Sequence, residues 1–141
     1  VLSTKARAKG MDIVLEIEDD LPDMRGEYDE LYQAIYNLAE NAIKYGESDS
    51  NVTLRVDVTE HSMEIKVHNY GTPIQEKHIP RLTERFYRVD KSRSRDLGGT
   101  GLGLAIVKHI INRHLGELNI TSSEEGGTTF SVTFPVMSEE N

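Results

Sequence analysis

Two short runs constrain this chain more than any other feature of its sequence. Val52, Leu54, Val56 and Val58 alternate with Thr53, Arg55 and Asp57, and beyond the polar residues 59–62 the same apolar parity resumes at Met63, Ile65 and Val67. Strict alternation puts every second side chain on one face of a strand, so this stretch predicts an antiparallel hairpin with one buried and one solvated face. A lone hairpin is marginal in water, and the rest of the chain must cover its apolar face. Extending the second strand by one step of the same parity places Asn69 on that face, where a polar side chain needs a hydrogen-bond partner.

The cover is legible on both sides of the hairpin. Leu31, Ile35, Leu38, Ala42 and Tyr45 recur at helical spacing over residues 27–45, and Gly46 stands where a C′ glycine would end a helix. Leu102, Ile106, Val107, Ile110 and Ile111 predict a second amphipathic helix over 102–114, stopped by Gly116. A strand over 12–18, closed by Asp19-Asp20-Leu21-Pro22, precedes the first helix. Leu118, Ile120 and the alternating Phe130, Val132 and Phe134 predict a last hairpin around Glu125-Gly126-Gly127, ended by Pro135. Residues 75–88 allow one or two helical turns broken by Pro80, and residues 90–100 read as a long loop of the kind usually reserved for function. The order strand, helix, hairpin, loop, helix, hairpin predicts an α+β fold, an α/β sandwich whose mixed, mainly antiparallel sheet is covered on one face by helices.

Composition narrows the chemistry. A chain of 141 residues is one domain's worth, and its lack of cysteine excludes disulfides, thiolate metal sites and a thiol nucleophile. A net charge of −8 argues against nucleic acid or an anionic membrane as the main partner. No stretch reaches the roughly 18 to 20 apolar residues of a membrane span. The acidity is uneven, however. Residues 81–95 hold six basic and two acidic side chains, a local +4 that leaves −12 on the rest. Two readings stand at this point: a solvated basic face, or a segment that meets a small polyanion.

Two motifs favour the polyanion. Asn37, Asn41 and Lys44 form a polar stripe at i, i+4 and i+7 beside the apolar stripe of the first helix. Carboxamides and an ammonium so placed suit a hydrated cation with phosphates, although the same spacing also fits a solvated helix flank. Gly98-Gly99-Thr100-Gly101-Leu102-Gly103-Leu104 runs directly into the second helix, offering free backbone N–H groups and the positive end of a helix dipole. It is neither a Walker A loop nor a Rossmann fingerprint, since no Lys-Ser or Lys-Thr follows it and no parallel βαβ unit surrounds it.

Taken together these residues resemble a known family. Residues 37–45 (NLAENAIKY) resemble the N box of sensor histidine kinases, residues 69–74 (NYGTPI) the G1 box, residues 85–88 (RFYR) the F box and residues 99–104 (GTGLGL) the G2 box, in the family's order and spacing. The similarity runs from about Lys9 to Pro135, and residues 81–95 with the G2 box look most like the phosphate-regulon sensor kinases. The resemblance implies the Bergerat (GHKL) ATP-binding fold over residues 9–136, with residues 1–8 a linker remnant and 137–141 a tail.

It also implies roles. Asn41 would hold Mg²⁺ with Asn37 close by, Lys44 and Arg85 would contact phosphates, Tyr45 would lie against adenine and Ile74 would line its pocket. Asn41, Lys44 and Arg85 would be the catalytic group. Asn69, Gly71, Phe86, Gly99, Thr100, Gly101, Leu102, Gly103, Leu104 and Thr128 would complete the nucleotide site, with residues 88–101 as a lid over ATP. The commoner G1 box has an aspartate and a second glycine where this chain has Asn69 and Pro73. An asparagine keeps a carbonyl acceptor for the adenine amino group, and exchanging a charge-assisted bond for a neutral one costs about 1 kcal/mol. Thr83 stands where a Phe is frequent before the F-box core, which alters packing more than chemistry.

The related ATPases carry a glutamate at the first N-box position to activate water, and here that residue is Asn37. A neutral imidazole needs no such base, so the resemblance implies phosphoryl transfer to histidine ahead of ATP hydrolysis or an inert nucleotide-sensing scaffold. None of His61, His68, His78, His109 and His114 is followed by the acidic residue of a phosphoacceptor box. The phosphoacceptor histidine is therefore expected on a separate dimerisation domain of the same parent, with a response regulator as next partner. The parent would be anchored in the bacterial inner membrane, with this domain a cytoplasmic monomer.

Overall fold

The computed structural model describes residues 2–17, 27–59, 61–84 and 103–136. Its elements run α1 (Leu2–Ala8), β1 (Asp12–Ile17), α2 (Tyr28–Tyr45), β2 (Asn51–Val58), β3 (Ser62–Asn69), a 3-10 turn (Glu76–Arg81), α3 (Gly103–Arg113), β4 (Glu117–Ser123) and β5 (Gly127–Pro135). The strands form one five-stranded sheet in the order β1-β2-β3-β5-β4. Only β1 with β2 is parallel; the other three pairings are antiparallel, as a mixed, mainly antiparallel sheet requires.

Register turns the sequence parity into a layered face. Cross-strand partners point the same way, so Ile17, Val56, Ile65, Val132 and Leu118 make one row, and Leu15, Leu54, Val67, Phe130 and Ile120 the next. The following row reads Ile13, Val52, Asn69, Thr128 and Ser122. The face is apolar until its last row, which turns polar over β3, β5 and β4. The opposite face carries Thr53, Arg55, Asp57, Glu64, Lys66 and His68, with ion pairs along each strand between Arg55 and Asp57 and between Lys66 and Glu64. Exposed pairs of this kind add little stability.

Helices cover the apolar face. α2 packs on β2, β3 and α3, α3 on β4, and α1 on β1 and α2. The largest fully buried side chains are Phe130, Phe134, Leu38, Ile111, Val52, Val67 and Val107, drawn from both layers. Each fully buried apolar side chain of this size contributes about 1.5–3 kcal/mol of transfer free energy. The two long helices are also tied end to end. Arg113 Nη1 donates to Glu30 Oε2 at 2.7 Å, and the Glu27 N–H donates to His114 Nε2 at 3.0 Å. The proton of His114 therefore sits on Nδ1, which donates to Ile110 O at 2.8 Å.

The structure adds one element to the sequence reading and departs from it in two places. Within the stretch expected as a linker remnant, Leu2–Ala8 is helical and buries Ala6 in the core. A helix of seven residues is too short to show a periodicity. Gly46 ends α2 without the expected left-handed turn; its φ is −75° and ψ 158°. At the end of α3 the positive φ belongs to Leu115, at 60°, not to Gly116. Gly116 is needed for room, since a Cβ there would stand 2.8 Å from Phe134 Cδ1.

Candidate functional site

The site grows from the polar end of the sheet face. Asn69 and Thr128 are the two buried polar residues among the described residues, each 5% exposed, and they are direct cross-strand partners. Asn69 Nδ2 donates to Tyr70 O at 3.2 Å, which leaves Oδ1 as the acceptor end of the carboxamide. Thr128 Oγ1 and Ser122 Oγ share a hydrogen bond of 2.7 Å, and Ser122 Oγ accepts the Ile74 N–H at 2.8 Å. Ser122 thus ties the chain after β3 to the β4–β5 hairpin and orients the Thr128 hydroxyl. It is absent from the sequence reading, although it continues the inward parity of Leu118 and Ile120.

The second wall is the last turns of α2. Asn37, Asn41 and Lys44 lie half-buried on this helix, and Tyr45 is half-buried at its end. Gly71 lets the segment after β3 approach this end closely; a Cβ there would stand 2.5 Å from Tyr45 O. The Glu47 N–H donates to Tyr70 O at 2.6 Å in the same crossing. A Cβ on Gly46 would lie 3.6 Å from Asn69 Cβ, which brings the end of α2 to the polar row. Asn69, Thr128, Ile74, Gly71 and Tyr45 are therefore gathered at one end of the sandwich.

Charge around Lys44 is organised by Glu40, half-buried one turn earlier. Its Oε1 lies 4.0 Å from Lys44 Nζ, and its Oε2 accepts a hydrogen bond from Lys5 of α1. That hydrogen bond holds the Lys5 ammonium above its ordinary value of 10.5, against a smaller desolvation effect. Gly103 and Leu104 open α3, Gly103 exposed and Leu104 packed against the core. Arg85, Phe86, Gly99, Thr100, Gly101 and Leu102 lie outside the described residues, as do the expected lid over 88–101 and the tail. Of the basic stretch, Arg81 is described, and its Nε pairs with Glu84 Oε2 at 2.9 Å.

Among the described residues no three His, Asp or Glu side chains gather as metal ligands. The oxygen that the α2 stripe offers a cation is a carboxamide. A single hard oxygen of this kind fits a cation that keeps most of its water and shares phosphate oxygens, as Mg²⁺ does.

A helix-covered mixed sheet whose polar row lies where α2 meets the segment after β3 is the frame of the domain class, and the family pattern described as histidine kinase-, DNA gyrase B- and HSP90-like ATPase matches residues 26–138. The chain belongs to that family, and its relatives place it among ATP-binding catalytic domains of the histidine kinase type. It is 45% identical over 111 residues to the phosphate regulon sensor protein PhoR of Pseudomonas aeruginosa, covering 79% of this chain and 25% of that protein. It is 39% identical over 131 residues to the sensor histidine kinase CusS of Escherichia coli K12, covering 93% of this chain and 27% of that one. The chain thus spans about a quarter of the length of these curated relatives. Among solved structures it is similar to full-length ShkA in complex with AMPPNP, with a TM-score of 0.82, 25% identity, and 97% of this chain and 28% of that chain covered. The catalytic domain of the histidine kinase ThkA shares the fold, with a TM-score of 0.81, 24% identity, and 96% of this chain and 86% of that one covered. Among the described residues no helix is long and apolar enough to cross a membrane.

Proposed function

We propose that this domain binds Mg-ATP and delivers the γ-phosphoryl group to a histidine on a separate dimerisation domain of its parent, which passes it to a response-regulator aspartate. The observation that carries this reading is the buried polar row. Asn69 keeps Oδ1 as an acceptor suited to the adenine amino group, and Thr128, oriented by Ser122, lies directly beside it. That arrangement supports an intact adenine subsite despite the missing aspartate, and it disfavours an inert scaffold.

In the transfer, the bond from the γ-phosphorus to the β–γ bridging oxygen breaks as a bond from an imidazole nitrogen forms, and ADP leaves with the electron pair. Asn41 would hold Mg²⁺ through its carbonyl oxygen with Asn37 adjacent, and bound Mg²⁺ supplies neutralisation of phosphate charge. Lys44 and Arg85 would bind phosphate oxygens. Tyr45 and Ile74 would flank the base, and Gly71 would let the segment after β3 close against Tyr45 at the base subsite. The absence of a glutamate at Asn37 favours transfer to a neutral imidazole over hydrolysis. By the same relationship, the parent would be a membrane-anchored sensor with this domain on the cytoplasmic side.

Titration of the chain with a fluorescent ATP analogue, with and without Mg²⁺, tests the reading. Saturable Mg²⁺-dependent binding is expected, with little phosphate release in the absence of a histidine-bearing partner. A folded sample that binds no nucleotide at millimolar concentration overturns it. The Asn41→Ala variant is expected to lose the Mg²⁺-dependent part of binding, and an unchanged Mg²⁺ response removes Asn41 from the metal role.

A further inference from the structure

A helix that stops without a left-handed residue leaves its last carbonyl groups unsatisfied by its own backbone. α2 stops this way, with Gly46 in an extended conformation. Its carbonyls are taken instead by a side chain from far upstream in the sequence. Lys9 Nζ donates to Ile43 O at 2.7 Å, to Lys44 O at 3.0 Å and to Gly46 O at 2.8 Å. An ammonium has three protons, and each finds one carbonyl at the negative end of the helix dipole.

We infer that Lys9 is a positioning residue for the nucleotide site, a clamp that sets where Lys44 and Tyr45 stand; the inference rests on the nucleotide-binding reading above. The geometry is specific to that turn. Two of the three carbonyls belong to Lys44 and to Ile43, which precedes it, and the third to Gly46, directly after Tyr45. Lys9 is itself held in place. Its own backbone carbonyl accepts the Asp49 N–H at 3.0 Å, and its N–H donates to Ala6 O at 3.0 Å. From the other side the Glu47 N–H is fixed by Tyr70 O at 2.6 Å. The end of α2 is therefore gripped between the α1–β1 junction and the segment after β3. Glu40 adds a second link, from within α1, since it bonds Lys5 and faces Lys44. Charge-assisted bonds in a part-buried setting are the strong kind, and losing all three frees a turn whose side chains must meet phosphate and base together.

The test is a double-mutant cycle on the chain, read as affinity for a fluorescent ATP analogue with Mg²⁺ well below the unfolding temperature of every variant. Lys9→Met keeps the aliphatic length and removes the donors. It is expected to weaken binding about tenfold, and Lys44→Ala is expected to lose far less affinity in that background than in the unaltered chain. A residue that only stabilises the fold would lower the melting temperature and leave the affinity of folded protein unchanged. Binding by folded Lys9→Met within twofold of the unaltered chain overturns the inference, as do effects of Lys9→Met and Lys44→Ala that simply multiply. If Lys9→Met does not fold, Lys9→Gln, which retains two donors, carries the same comparison, and failure of both to fold assigns Lys9 to stability and overturns the inference. Absence of binding by the unaltered chain removes the nucleotide reading and the clamp with it, whereas normal binding with an insensitive Lys9 removes the clamp alone.

Discussion

Helices α2 and α3 lie side by side over the same sheet, yet their C-terminal ends are closed by different means. α3 closes on itself. The Gly116 N–H reaches back to Ile111 O at 2.9 Å and the Leu115 N–H to Asn112 O at 3.2 Å, with Leu115 left-handed at φ 60°. This is a Schellman turn, whose backbone bonds close within the six residues from Ile111 to Gly116. α2 has no such turn and ends where Lys9, Tyr70 and Gly71 allow it to end. The α3 end satisfies its last carbonyls within its own backbone, whereas the α2 end has them satisfied from elsewhere in the tertiary structure. The remotely closed one carries Lys44 and Tyr45, the residues proposed to meet phosphate and base.

Gly46→Ala strikes the α2 end hardest, because its Cβ would stand 2.5 Å from Ala42 O and 2.6 Å from Met11 Cε. The expected loss is about 3 kcal/mol, seen as a melting temperature lower by about 10 °C, and nucleotide affinity should fall in the folded protein as well. Gly116→Ala is the matching lesion at the α3 end, where the new Cβ would meet Phe134 Cδ1 at 2.8 Å and Thr133 O at 2.9 Å. About 2 kcal/mol of stability should go, with affinity unchanged. Equal affinity losses in the two variants would erase the distinction between the ends. Leu115→Gly relieves the left-handed leucine and should raise stability by about 1 kcal/mol, measured by denaturant unfolding, again without effect on nucleotide binding.

The smallest effect concerns Lys5. Its folded-state value is raised above 10.5 by Glu40, so the folded state binds the proton more tightly than the unfolded state. The contribution is fully present below 10.5 and is lost as pH rises through the folded value. Lys5→Met should therefore lower stability slightly across the neutral range and flatten the profile above it, the two chains converging as pH rises through the folded value. A solvent-exposed pair of this kind supports no larger expectation.

Much of the fold was legible because strand parity and helical spacing are properties of neighbouring residues. Val52 to Val67 predicted the central hairpin and the inward Asn69, and both long helices fall within a residue or two of their expected limits. Ser122 carried the same signal as Asn69, one parity step beyond Ile120, and its bond to Thr128 completes the polar row. The Asn37, Asn41 and Lys44 stripe could be seen in the sequence, but not the company it keeps. α1, the extended Gly46 and the left-handed Leu115 escaped because a seven-residue helix is too short to show a period and a glycine near a helix end does not disclose its own φ.

By itself, then, the sequence determined which side chains face inward and, through four ordered motifs, the family to which the chain belongs. Both are written in short-range spacing. The tertiary structure alone decided that the apolar face becomes polar in one row across β3, β5 and β4, since a row exists only once register is set. It alone decided that a lysine before β1 ends the helix that carries Lys44 and Tyr45, since a hydrogen bond across more than thirty residues has no local pattern.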